Sequence, residues 1–283
     1  MPPISTDDTA TPSSSSGWST LHRHHIGVDI GGTAIKYAVV DTADGKPTAP
    51  VQQLLTPQGA SPEDVAEVLG VILERLHSRL HAPDPAASVG ATLPSIVRHG
   101  VARSAANIDS AWIGLDAARF LGERLSRTVH VLNDADAAGL AEVRYGAGRG
   151  PDGRPAPGTV LVLTLGTGIG SALFVDGRLV PNLELGHLEL DGVKAETRAS
   201  AVAREREGLD WPAYAGRLER YLSHLEFLFF PDLVVVGGGI SARHEDFLPH
   251  LHLDTPIVPA QLRNAAGIIG AARHAYLTAP SLQ

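Results

Sequence analysis

Cysteine is absent from the 283-residue chain. That absence removes disulfides, cysteine-ligated zinc, iron–sulfur clusters and thiolate nucleophiles together. Long apolar runs are missing too: no stretch approaches the roughly 20 residues that span a bilayer, although hydrophobic residues make up 43% of the chain, enough for a sizeable core. A surplus of positive charge is the third absence. Lys and Arg total 23 against 31 Asp and Glu, a net charge of −8, which argues against nucleic acid as a main partner. Lysine is scarce, with only Lys36, Lys46 and Lys194, and the preponderance of arginine over lysine reads as genome composition.

Residues 1–20 hold thirteen Ser, Thr or Pro. Such a stretch buries too little apolar area to offset its ordering entropy, so 1–23 is expected to be a disordered tail. It has neither the basic start nor the apolar centre of a secretory leader, which makes the cytoplasm the expected address. From His25 the chain alternates between strand and helix patterns. Strands are expected at His25 to Asp29, Ile35 to Asp41, and Ala49 to Leu55, with Asp44-Gly45 turning between the last two. A helix follows, with Ser61 as N-cap, Pro62 at its first position, Asp64 closing a capping box, and Val65, Val68, Ile72, Leu76 and Leu80 at helical spacing. Strand Ala87 to Thr92, helix Asp116 to Leu125 and strand Thr128 to Leu132 continue the α/β alternation.

The second half repeats the opening theme. Thr159 to Leu165 and Ser171 to Val175 flank a glycine loop, Asp176-Gly177 turns into Arg178 to Val180, helices are expected at Ala195 to Glu207 and Trp211 to Phe229, and strand Asp232 to Val236 runs into a glycine run before a closing helix from about Asn264. Each half thus opens with strand, glycine loop, strand, Asp-Gly turn and strand, the pattern of two similar subdomains.

Three glycine segments carry the chemistry. In Asp29-Ile30-Gly31-Gly32-Thr33, backbone N–H groups can approach an anion that any Cβ would keep away, Thr33 adds a hydroxyl, and Asp29 can hold magnesium or its water. Gly166-Thr167-Gly168 with Gly170 offers the same from the second half, and Gly237-Gly238-Gly239 is the third run. None matches a Walker motif or opens a helix in the Rossmann manner. Asn133-Asp134-Ala135-Asp136 ends a strand and starts a helix. Asp134 can serve there as a helix cap or as a base that orients a substrate hydroxyl. Glu184, His187 and Glu196 could ligate a metal or ring a sugar with donors and acceptors. His22, His24, His25 and His244 read as ordinary polar surface.

Taken together, these stretches resemble the ROK family of sugar kinases and repressors, within the actin/hexokinase/Hsp70 superfamily. The matching segments are Asp29–Lys36, Leu132–Gly139, Thr164–Leu173, Glu184–His187 and Val235–Ser241, and the resemblance covers about residues 25–275. Within the family, Leu163–Leu173, Leu179–Glu189, Thr255–Ala260 and Asn264–Ala272 are more narrowly similar to bacterial polyphosphate glucokinases. The resemblance implies an α/β, two-lobed actin-like ATPase (ribonuclease H-like) fold, with a mixed sheet and helices on both faces in each lobe. Residues 24–139 plus the closing helix 264–283 would form the small lobe, and 140–263 the large one. It implies phosphorylation of glucose at O6 by inorganic polyphosphate, and by ATP as a second donor, with magnesium. Asp134 would be the base; Asn107, Asn133, Glu184, His187 and Glu196 would bind the other hydroxyls; and Asp29, Gly31, Gly32, Thr33, Lys36, Gly166, Thr167, Gly168, Gly170, Gly238 and Gly239 would bind phosphate. Most family members have a cysteine-rich zinc motif just before the residue matching Glu196. Its loss here, shared by polyphosphate glucokinases, puts zinc outside the expectation. A homodimer is expected from the family.

Three other readings compete. A repressor of the same family needs a helix-turn-helix domain, and only 28 mostly polar residues precede Asp29. A chaperone or filament ATPase would leave the segment Asn182 to His187 without a task. An ATP-only kinase for glucose, mannose, fructose or an N-acetylhexosamine fits the same motifs. For polyphosphate, cations beyond the glycine loops are required; Lys36 is the first candidate, with Arg98 and Arg103 behind it.

Overall fold

The computed structural model describes residues 23–77 and 87–279. The expected tail lies outside them except for Arg23, which pairs with Asp41. Leu80 and the end of the closing helix also lie outside.

The repeat read from the sequence becomes two sheets built on one plan. In the first, β1 (His24–Ile30) and β2 (Ala34–Asp41) form an antiparallel hairpin, and β3 (Lys46–Pro47) and β4 (Gln52–Leu55) both pair with β2. After β5 (Val89–Leu93) comes a separate ribbon of β6 (Val97–Arg98) and β7 (Val101–Ala102), then β8 (Val129–Asn133). β5 runs parallel to β1, and β8 parallel to β5. In the second sheet β9 (Thr159–Leu165), β10 (Ile169–Val175) and β11 (Arg178–Leu183) form the antiparallel meander. A small hairpin of β12 (Glu189–Leu190) and β13 (Val193–Lys194) precedes β14 (Leu233–Gly237) and β15 (Ile257–Pro259), which extend that sheet in parallel from β9. The strand orders, β3-β2-β1-β5-β8 and β11-β10-β9-β14-β15, correspond position for position.

The helices are α1 (Pro62–His77), α2 (Ala117–Leu125), α3 (Asp134–Tyr145), α4 (Glu196–Ala199), α5 (Ala201–Arg206), α6 (Trp211–Phe229), α7 (His244–Phe247) and α8 (Ala266–Thr278). They cover both faces of both sheets. α1 and α2 bury Val65, Leu69, Ile72 and Leu121 against one face of the first sheet. α8 lies on its other face, joined there by Ala141 of α3. In the second sheet the two-residue period decides the partner. Leu161, Leu163, Val234 and Val236 meet α6, while Val160, Val162 and Val235 meet Val143 of α3. The layers therefore run α1/α2, first sheet, α8 and α3, second sheet, α6.

α8 and α3 fit between the sheets because side chains are missing at their closest approaches. A Cβ on Gly90 of β5 would lie 1.8 Å from the Ala271 carbonyl oxygen, and one on Gly270 of α8 would lie 1.7 Å from that of Ala137.

Local differences from the sequence expectation have simple causes. The third strand breaks into β3 and β4 with Pro50 between them, a residue that has no N–H to give to a ladder. The helix expected over 195–207 splits at Ser200, whose extended backbone (ψ 161°) and side chain cap α5 by accepting from the Ala203 N–H. The closing helix starts at Ala266, after a 3₁₀ turn at Arg263–Ala265. The Ser61 capping box forms as expected, with Ser61 Oγ accepting from the Asp64 N–H at 3.2 Å. The second Asp-Gly turn has both residues at positive φ (49° and 75°), the two-residue hairpin geometry, whereas Asp44-Gly45 ends a longer turn. Among the described residues no helix is long and apolar enough to cross a membrane.

A paired substitution tests the layer contact. Gly270→Ala should lower stability by about 3 kcal/mol or more through overpacking against backbone. Gly216→Ala in exposed α6, where a Cβ meets nothing within 4 Å, should be neutral or stabilising by up to about 1 kcal/mol. Chemical denaturation of both variants measures the contrast.

Candidate active site

The C-terminal ends of the parallel strands and the turns of the two hairpins converge on a cleft of about 670 Å³. Around it stand Gly31 and Gly32 from the β1–β2 turn, Gly166, Thr167, Gly168 and Gly170 from the β9–β10 segment, and Asn107, Asn133, Asp134, Glu184, His187, Glu196 and Gly238. A second cavity of about 170 Å³ is lined by Asp29, Lys36, Asp134, Gly238, Gly239 and Arg263. Asp134 and Gly238 line both, so Asp134 stands where the two spaces meet. Of the residues singled out in the sequence, Thr33, Arg98 and Arg103 line neither.

The start of α3 explains how Asp134 is left available. Asn133, not Asp134, is the helix cap: its Oδ1 accepts from the N–H groups of Ala135 and Asp136 at 2.8 and 3.0 Å, and its Nδ2 donates to the Ser95 carbonyl at 3.1 Å. Much of the Asn133 amide is thus committed to backbone. Asp134 keeps its side chain exposed to the open cleft while lying deep enough that protein surrounds it on most sides. That depth, reinforced by the negative charge of Asp29, raises its pKa to about 6. Asp29, which lines the small cavity, is itself held by Thr92, whose hydroxyl donates to Oδ1 at 2.8 Å.

Glu196 ties the segment after β11 to the second glycine loop. Its Oε2 accepts from the Ile169 N–H at 3.2 Å and its Oε1 lies 3.3 Å from His187 Nε2. A Cβ on Gly168 would come within 2.5 Å of Glu196 Oε2 and would push that carboxylate out of its present position. Glu184 is half-buried, and burial raises its pKa. Among the described residues no group of three His, Cys, Asp or Glu is arranged to hold a metal.

Several contributors escaped the sequence reading. Arg206 and Ser200 line the cleft, and Arg263 lines the small cavity. Arg263 is presented there by buried Glu142, whose carboxylate accepts from the N–H groups of Ala147, Gln261 and Leu262. Asp136, 2% exposed, accepts from the Asn182 N–H at 3.0 Å, and Asn182 Oδ1 accepts from the Val97 N–H at 2.9 Å. This chain of bonds joins α3, the second sheet and the ribbon of the first. Nothing in composition marked it; the only trace is Asn at a position where φ is 61°, a conformation that Asn tolerates.

The whole-chain comparisons agree with one another. The family model described as ROK family matches residues 25–201. The chain belongs to the ROK family. It is 44% identical over 255 residues, 90% of this chain and 92% of the other, to the polyphosphate glucokinase of Mycobacterium tuberculosis (strain H37Rv). Among solved structures it is similar to the inorganic polyphosphate/ATP-glucomannokinase of Arthrobacter sp. strain KM, at 57% identity and TM-score 0.84, covering 90% of this chain and 98% of that one. A ROK hexokinase from Thermus thermophilus matches at 29% identity and TM-score 0.70, covering 90% of this chain and 98% of the other.

If Asp134 is the base, Asp134→Asn should lower kcat by about 10²–10⁴-fold without loss of fold. Because the active form is the carboxylate and its pKa is raised to about 6, activity should fall as pH drops through about 6 and level off above it. A pH profile of kcat/KM for the free enzyme checks this; a flat profile from pH 5 to 8 would refute it.

Proposed function

We propose that this chain is a sugar kinase that phosphorylates glucose at O6 with inorganic polyphosphate as donor and ATP as a second donor. The observation that carries this reading is the position of Asp134 between a cleft ringed by Asn107, Glu184, His187 and Glu196 and a small cavity holding Asp29, Lys36, Arg263 and a glycine run. A sugar in the large space and a phosphate in the small one would meet at that carboxylate.

In this mechanism Asn107, Glu184, His187 and Glu196 hold the sugar hydroxyls and leave O6 facing Asp134. The terminal phosphoryl group lies in line with O6 where the two spaces meet at Gly238, within reach of the glycine-loop amides on the cleft side. Of these, the Gly31 and Gly166 N–H groups are tied to the Ala34 and Gly168 carbonyls, which leaves the other amides of the loops for phosphate. Catalysis is then mostly positioning and charge stabilisation. Asp134 accepts the O6 proton as the O6–P bond forms and the bond from that phosphorus to the donor's bridging oxygen breaks, the shortened polyphosphate (or ADP) leaving with the bridging oxygen. A divalent cation would suit Asp29, because two carboxylates, Asp29 and Asp134, line the small cavity and offer hard oxygens of matching charge. When bound, magnesium supplies neutralisation of the phosphate charge.

Lys36 and Arg263 support the polyphosphate assignment, since a chain with about one negative charge per phosphate needs cations past the glycine loops. Similarity to a polyphosphate glucokinase and a polyphosphate/ATP-glucomannokinase supports it further. Lobe closure over the sugar would exclude water. A lobe boundary at 139/140 falls within α3, the helix that packs on both sheets. Family likeness is also what supports a homodimer, which light scattering can check.

Coupled detection of glucose 6-phosphate with polyphosphate and with ATP as separate donors tests the assignment. Product from ATP alone would leave an ATP-only hexokinase as the reading. Lys36→Ala and Arg263→Ala should each raise the KM for polyphosphate more than that for glucose. The polyphosphate KM should also climb more steeply with added salt.

A further inference from the structure

On the side of α3 away from the active site, a cavity of about 400 Å³ opens between α3, the β10–β11 hairpin and α8. Leu140, Val143 and Arg144 point toward it, whereas Ala138 and Glu142 line the phosphate-side cavity. At 100° per residue those two sets occupy opposite faces of the helix. The two cavities are therefore separate.

Its composition is unusual for this chain. Val143, Phe174 and Leu179 give it an apolar floor, and Arg144, Arg178 and Arg273 stand around that floor with no carboxylate among the lining residues. Seven other arginines of this acidic protein, Arg23, Arg119, Arg154, Arg206, Arg217, Arg220 and Arg243, each stand beside a carboxylate. A cavity beside α6 also holds three, Arg198, Arg217 and Arg220, but there Glu207 pairs with Arg217 and Asp191 with Arg220. None of Arg144, Arg178 and Arg273 forms an ion pair among the described residues, and Arg144 Nε is buried without a hydrogen-bond partner. His274 also lines the space but stays neutral near pH 7, its pKa pushed down to about 4 by burial and by neighbouring His130.

Three arginines around one cavity in a chain of net charge −8 suit an anion, Arg144 and Arg273 also lying over the rings of Tyr145 and Tyr276, and planar guanidinium forks match phosphate oxygens. The apolar floor calls for more than an inorganic ion. The volume lies in the range of small-molecule sites. We propose that this cavity binds an organic phosphate of about nucleotide size, its phosphates on Arg144, Arg178 and Arg273 and its apolar body on Val143, Phe174 and Leu179. The ligand would touch both helices that lie between the sheets. The site does not depend on which donor the active site uses.

The test is a fluorescence titration of the full chain with N-methylanthraniloyl-ADP. The wild type should show a class of binding that the double variant Arg178→Glu/Arg273→Glu weakens at least tenfold, while Lys36→Ala retains it. The double variant should keep kcat and glucose KM within twofold. Should it melt early, the single Arg178→Ala change at an exposed position should still weaken binding severalfold. A titration curve unchanged by either Arg variant overturns the proposal. So does loss of all binding in Lys36→Ala, which would place the nucleotide in the active site alone. Displacement of the probe by tripolyphosphate as readily as by ADP would remove the role of the apolar floor and with it the organic ligand.

Discussion

The approach of α8 to α3 at Gly270 and Ala137 sets the spacing of everything else. α8 lies on the first sheet and α3 packs on both, so the distance between their axes bears on the distance between the sheets. It also fixes where their first turns end. α3 begins at Asp134, and α8 begins so close to β1 that a Cβ on Gly267 would stand 3.0 Å from the Asp29 carboxyl carbon. A larger residue at that crossing would separate the two carboxylates as well as the sheets. Packing and chemistry therefore rest on the same atoms.

Charge is distributed with similar economy. Asp134, Glu184 and Glu196 line the large cleft, which also holds Arg206, while Asp29, Asp134 and Glu142 line the small cavity, where Lys36 and Arg263 oppose them. Each space thus carries both signs of charge, and in the proposed mechanism the two cations of the small cavity are what a polyanionic donor would meet.

The architecture was largely legible because it follows from local rules. Alternating strands, the Ser61 capping box and the Asp176-Gly177 turn each state their conformation in a few residues. The glycine loops announced themselves by composition: Gly238 is needed where the Leu165 backbone comes within 2.3 Å of a Cβ position, whereas Gly166 has open space around it. What stayed hidden depends on distant partners. Arg263 is aimed by Glu142, more than a hundred positions earlier, and Asp136 reaches Asn182 on another sheet. Arginine is common in this chain, so no single one stands out by type, and Arg98 and Arg103 drew notice only by proximity to Asn107. Thr33 belonged to the right motif, yet its turn leaves it outside both cavities.

Asn133 takes the cap of α3 and leaves Asp134 as the first helical residue. This has a consequence for how the site resets. The partial positive charge at a helix N-terminus favours an ionised carboxylate there by about 0.3–1 kcal/mol. In the proposed mechanism, turnover leaves the carboxyl neutral and without that interaction, so the helix itself favours release of the proton to water. With a pKa near 6, the group gives up its proton at neutral pH without a dedicated relay, and each cycle begins again from the charged form.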